Sequence, residues 1–227
     1  MYRPWSYVDF VLVVLGGIAG AFVAAMLEPI IESQDTLVMI SIAGQFAGHL
    51  IAIWLLARDR NRADLGFSVQ GRDLLFLPAG ALGQLVLAIL FAPLARRLLP
   101  NVDTAQEIGD VIASVQSTVV LTVIIVSTVV LAPVVEELMF RGVLLKAMGD
   151  RSPKAIMVVT ALVFAAFHLV GLDPDTFLRA AAVVFPQLVI VGAALAWVTL
   201  RNGRLGPAIM LHSGFNLVAA IAILAVR

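Results

Sequence analysis

Glu136 and Glu137 stand side by side where a hydrophobic chain should carry no charge. They follow an apolar run from Val119 to Val135, broken only by Thr122, Ser127, Thr128 and Pro133, and they precede Leu138-Met139-Phe140-Arg141. An ionisable group at membrane depth costs several kcal/mol, roughly 2.5–3.5 on insertion scales. Glu136, Glu137 and Arg141 therefore call for partners or a function. Glu137 and Arg141 are four residues apart, share a helix face and can pair. Glu136 lies about 100° around the helix from Glu137. A carboxylate held partly out of water accepts a proton more readily than one in bulk water, so Glu136 is the better general base and Glu137, held by Arg141, the better orienting group.

Two further polar sets complete a hydrolytic parts list. His168 closes the apolar run Val163-Phe164-Ala165-Ala166-Phe167 and can share a water or pass its proton to a leaving amine. His212 and Asn216 are four residues apart on one helix face and offer donors to the oxyanion of a tetrahedral intermediate, a role worth about 3–4 kcal/mol per donor. Gly-x-Ser-x-Gly is absent and the chain has no cysteine, so no nucleophile motif competes with activated water. A zinc site is the other use of two His and a Glu. However, His-Glu-x-x-His is absent, and Arg141 beside the acids opposes a cation. Neither metal nor cofactor is expected. His49, which has no acidic neighbour in its own span, reads as a packing residue or a helix-to-helix hydrogen bond.

The elements that must hold these residues follow from composition. The 227 residues are 61 % hydrophobic and 13 % charged, with 15 Lys+Arg against 15 Asp+Glu. A soluble domain is about 25 % charged. The balance excludes a disordered chain and a basic nucleic-acid binder, and so much apolar surface does not fit an ordinary soluble globule. An all-α polytopic membrane helical bundle remains. Stretches of roughly 20 apolar residues predict seven transmembrane helices: Val8–Leu27, Leu37–Ala57, Leu74–Ala95, Ser117–Val135 continuing to about Met148, Ala155–Val170, Ala180–Leu200 and Pro207–Val226. Splitting Leu74–Pro100, which holds Pro78 and Pro93, would make eight. Pro133 predicts a kink near Thr128–Val130. Residues 1–227 are expected to form one integral membrane domain, and the first span does not read as a cleavable signal. Arg58–Gly71 and Asn101–Ala113 read as solvated or interfacial connections.

Depth and topology agree with a shared site. With the turn Gly149–Lys154 centred on Ser152, Glu136 and Glu137 lie 16 and 15 residues before it and His168 lies 16 after. At about 1.5 Å per residue these reach one depth. Assigned to alternate sides, the connections carry ten Lys+Arg with the N-terminus and four opposite, which places the N-terminus in the cytoplasm.

Glu136-Glu137-Leu-Met-Phe-Arg141, Phe164-Ala-Ala-Phe-His168 and His212-Ser-Gly-Phe-Asn216 occur in this order on successive hydrophobic segments. The ordered triple resembles the CPBP family, the type II CAAX prenyl endopeptidases and the Abi-type bacteriocin-processing or immunity proteins. The likeness covers about Val130–Ala220, within a motif-bearing core of about residues 116–226. It implies a glutamate-dependent intramembrane endopeptidase of the bacterial plasma membrane. In such proteases the first Glu and first His activate water, and the last His and Asn form the oxyanion hole. The implied substrate is a membrane-associated peptide or protein, lipidated or not, at the bilayer and without nucleic acid. Two readings stand beside it: a non-enzymatic immunity or scaffold protein of the same fold, and a zinc-dependent membrane protease. A proton-coupled transporter using Glu136 and His168 ranks last, since the chain is short and lacks repeats.

Overall fold

Long apolar runs can satisfy their backbone polar groups in a bilayer only by closing them internally, and a helix does so within one segment. The computed structural model describes residues 3–31, 33–99 and 117–225. Among these are seven helices and no strand: α1 (Tyr7–Ala25), α2 (Gln34–Leu56), α3 (Phe76–Leu98), α4 (Thr118–Ala147), α5 (Pro153–Phe167), α6 (Phe177–Asn202) and α7 (Gly206–Ala225). The first six are, with their flanking turns, long and apolar enough to cross a membrane, and α7 contributes a shorter apolar stretch. This is the predicted all-α polytopic bundle: a helix stands at each of the seven predicted spans, and six of them are long and apolar enough to cross a membrane. Splitting of the third span does not occur within residues 76–98. Pro78 falls in the first turn of α3, where a backbone N–H has no helical partner to lose, and α3 runs on through Pro93. The predicted stretch Asn101–Ala113 lies outside the described residues.

The described residues pack as two compact units, Met1–Phe67 with Ile112–Gly149, and Ser68–Val111 with Asp150–Arg227. The first unit holds α1, α2 and α4. Its helices α1 and α2 touch backbone to backbone. A Cβ at Gly20 would strike the carbonyl of Gly44, and one at Gly48 would strike that of Gly16. Lipid offers no hydrophobic drive for helix association, so small residues that permit close approach carry the contact. Ser6 and Asp9 form a capping box at the start of α1. Asp9 also takes two hydrogen bonds from Arg60, at 2.8 and 3.1 Å, which ties the head of α1 to the tail of α2. The Arg58–Gly71 connection is mostly exposed, as expected, but Leu65 is buried. Gly66, at φ 64°, ends the 3-10 turn Arg62–Leu65, and Leu65 packs over Gly142 of α4.

Helix α4 departs from plain α geometry twice. Pro133 has no N–H and its ring crowds the preceding turn. The chain stays helical by widening to a π-turn over Ser127–Leu131, where Ala132 N–H donates to the carbonyl of Ser127. This is the stretch where a kink was expected. A second π-turn spans Leu138–Leu144 and ends with Leu145 N–H donating to Phe140.

The second unit holds α3, α5, α6 and α7. Gly80 of α3 and Gly214 of α7 bring those backbones into contact. A Cβ at Gly80 would strike the carbonyl of Leu211, and one at Gly214 that of Leu77. Gly192 does the same for α6 against Ala161 of α5. Gly203, at φ 67°, ends α6. The turn into α7 is clasped by Arg204, whose guanidinium forms a two-point ion pair with the buried carboxylate of Asp73. Hydrogen bonding to that carboxylate raises the Arg204 pKa further above its ordinary value. Gly206 N–H donates to the Ser68 carbonyl at 3.1 Å beside this pair.

The glycine contacts set a prediction with a diagnostic sign. In an isolated helix Gly→Ala is stabilising by up to about 1 kcal/mol. Gly20→Ala should instead destabilise by about 1–3 kcal/mol, the usual cost of overpacking, when unfolding is followed in detergent. Gly71→Ala, which meets open space, should be close to neutral.

Candidate functional site

In the first unit the acidic motif occupies the most enclosed part of α4. Every residue from Glu137 to Leu145 is buried. Glu137 and Arg141 are each 0 % exposed and form an ion pair, Arg141 Nη1 to Glu137 Oε1 at 2.9 Å. The pairing expected from the four-residue spacing is present. Arg141 itself lies in the second π-turn, and such turns inside α-helices recur at functional sites. Phe140 packs on Phe10 of α1 with ring centroids 5.6 Å apart. Gly142 leaves room for Leu65. The pair is thus walled by α1, by the Arg62–Leu65 turn and by its own helix. Glu136, on the adjacent face, is only half-buried. The two neighbouring residues therefore differ in environment: Glu137 is sealed against a guanidinium, whereas Glu136 is half-buried as a residue with its Oε2 buried.

His49 also belongs to this unit. It is 4 % exposed, and its Nδ1 lies 2.9 Å from the carbonyl of Val13 on α1. A carbonyl only accepts, so Nδ1 carries the proton. Gly17 is what admits the ring, because any Cβ there would overlap the imidazole. The helix-to-helix hydrogen bond expected of His49 is observed.

In the second unit His168 is the C-cap of α5, at the step into the 3-10 turn His168–Gly171. The expected span continues to Val170, but its α-helical part ends at Phe167, so His168 stands at a helix terminus. Its Nδ1 donates to the carbonyl of Phe164 at 2.8 Å. In the neutral ring that bond selects the tautomer with its proton on Nδ1, which leaves Nε2 as the basic nitrogen. His212 of α7 is buried, and Asn216 follows it one turn later, half-buried. Phe164 joins the two histidines. Its ring centroid is 4.5 Å from that of His168 and 5.7 Å from that of His212, the second contact edge-on. Phe164 is itself fully buried, and Gly192 of α6 makes room for it.

The structure thus brings Glu137 to Arg141 beside Glu136 in one unit, and His168 to His212 through Phe164 in the other, with Asn216 a turn beyond. Phe164 was legible in the sequence only as a residue four before His168. Its contact with His212 depends on the packing of α5 with α7 and has no local signal.

Residues 118–218 match the family model for type II CAAX prenyl endopeptidase Rce1-like proteins. All six candidate residues, Glu136, Glu137, Arg141, His168, His212 and Asn216, fall inside that segment. The match agrees with the CPBP resemblance of the three motifs. No curated protein and no solved structure gives a significant match.

The buried pair makes a stability prediction independent of any activity. Arg141→Met leaves the Glu137 charge sealed without its cation and should cost about 3–5 kcal/mol. Glu137→Gln together with Arg141→Met removes both charges and should recover most of that loss. Chemical unfolding of the two variants in detergent measures this; a double variant as unstable as the single would show that the two side chains are not one energetic unit.

Proposed function

We propose that this chain, whose segment 118–218 is Rce1-like, is an intramembrane glutamate-type endopeptidase that hydrolyses a peptide bond in a membrane-associated peptide or protein. The observation that carries the reading is the company the six residues keep within the matched segment. A sealed Glu137–Arg141 pair sits next to a half-buried Glu136, and a His168 oriented by its Nδ1 hydrogen bond shares Phe164 with His212.

In this reading Glu136 takes a proton from water, and the resulting hydroxide oxygen bonds to the scissile carbonyl carbon. Glu137, held by Arg141, fixes the helix face that presents Glu136. His212 and Asn216 donate hydrogen bonds to the oxyanion that develops as the carbonyl π-bond opens. His168, with Nε2 as its basic nitrogen, accepts that proton from Glu136 and passes it to the amine nitrogen as the C–N bond breaks. Phe164 is a positioning residue for both imidazoles. The excess of Lys+Arg on one set of connections supports an N-terminus on the cytoplasmic side.

Three predictions follow the roles. Glu136→Gln should abolish proteolysis of a trapped substrate while insertion and thermal midpoint stay near the parent values, and full activity in that variant would sink the mechanism. Asn216→Ala should lower kcat by roughly 100- to 1000-fold, the usual cost of an oxyanion donor, with little change in KM. Activity should also resist a chelator. Loss with EDTA and recovery with zinc would move the assignment to a zinc enzyme. A cellular phenotype that persists in the folded Glu136→Gln, His168→Ala double variant would favour a binding or immunity role.

A further inference from the structure

Helices α5 and α6 run antiparallel, so the start of α5 lies beside the end of α6. Between them is an open cleft of about 490 Å³ lined by Pro153, Lys154 and Met157 of α5 and by Trp197, Leu200 and Arg201 of α6. Four of these are apolar, two are cationic and none is acidic. The Arg201 guanidinium carbon is 5.4 Å from the centroid of the Trp197 ring, and Trp197 is 52 % exposed. Lys154 and Arg201 are exposed. Among the described residues neither is paired with a carboxylate. The nearby cation Arg204 differs, since Asp73 holds it.

The position of the cleft gives these residues a common meaning. It opens at the ends of two membrane-length helices, where hydrocarbon gives way to headgroups. Tryptophan concentrates at that level, and basic pockets between spanning helices there take acidic lipid headgroups. A soluble anion would use the two cations and leave the apolar wall idle. A neutral apolar ligand would use the wall and leave the cations unmatched. We propose that this cleft is a binding site for an anionic phospholipid: Lys154 and Arg201 take the headgroup phosphate, and Met157, Trp197 and Leu200 take the first part of an acyl chain. The cleft includes none of Glu136, His168, His212 and Asn216, and the proposal does not depend on what those residues do.

The test uses the full chain purified in detergent and given equal amounts of phosphatidylglycerol and phosphatidylcholine of the same chains, with retained lipid counted by native mass spectrometry. At about one basic-residue contribution each, the two cations predict a roughly 10- to 30-fold preference for phosphatidylglycerol. Lys154→Ala with Arg201→Ala should bring the ratio close to one, whereas Lys154→Arg with Arg201→Lys should keep it. Trp197→Ala should reduce retention of both lipids. Both cations are on the surface, so an unchanged thermal midpoint accompanies each variant; a variant that unfolds is replaced by Lys154→Gln alone, expected to show an intermediate ratio. Equal retention of the two lipids by the parent, or an undiminished preference in the alanine double variant, overturns the proposal. So does displacement of phosphatidylglycerol by millimolar inorganic phosphate, which would assign a free-anion site instead.

Discussion

Two full charges at 0 % exposure are the constraint on which the first unit depends. Removing Glu137 and Arg141 from water carries a penalty of several kcal/mol for each ion even after relaxation. Their contact at 2.9 Å offsets that only if both groups stay where they are. The surroundings of the pair are arranged accordingly. Phe140 is fixed on Phe10, Gly142 lets Leu65 close over the helix, and every residue from Glu137 to Leu145 is buried. A separated buried pair is worse than no pair, so the local packing cannot loosen without exposing the cost. The consequence for chemistry falls on Glu136, which shares the backbone of the pair but not its enclosure. Rigid support and partial withdrawal from water are what the proposed role of Glu136 as a proton acceptor requires.

Helix α4 shows how the backbone meets that requirement. An unbroken α-helix cannot contain Pro133 without losing a hydrogen bond and accommodating a clash. The π-turn at Ser127–Leu131 reroutes the bond to the next donor, and the later π-turn at Leu138–Leu144 widens the helix where Arg141 bends back to Glu137. In a bilayer such irregularity is tolerated where it is buried in protein, and the second turn is buried along its whole length. The acidic motif straddles the start of the second turn: Glu136 and Glu137 close the α-helical segment Ala132–Glu137, and Leu138 to Arg141 lie in the π-turn that follows.

Much of this was legible in the sequence, and the unread part has a physical cause. The seven helices follow from uninterrupted apolar runs because a bilayer leaves the backbone so few alternatives. The Glu137–Arg141 pair follows from a local spacing, and so does the disturbance upstream of Pro133. The hydrogen bond of His49 was foreseen as a type of contact, but its acceptor, Val13, lies on another helix and has no sequence signal. Phe164 is the sharper case. Its four-residue spacing to His168 is visible, yet its meaning comes from His212, which is 48 residues further on. The end of the α-helical part of α5 at Phe167, which makes His168 a cap, was also hidden, because Leu169 and Val170 continue the apolar run. Hydropathy sees the bilayer but cannot see where the α-helix gives way to a 3-10 turn.

Glycine is the common device in both units, and it works differently in each. Between α1 and α2, Gly16, Gly20, Gly44 and Gly48 place bare backbone on bare backbone, and Gly17 admits an imidazole ring. Between α3 and α7, Gly80 and Gly214 make the contact, and Gly214 lies between His212 and Asn216 in the motif itself. A residue at the middle of that motif must therefore be small for a packing reason, while the proposed mechanism gives the polar residues on either side a chemical one. The tight contact with α3 limits the freedom of α7 to rotate, and rotation would turn His212 and Asn216 together. Donors meant to meet a developing charge must already be aligned when it appears. In the proposed mechanism the short motif thus holds both the donors and the packing that keeps them aimed.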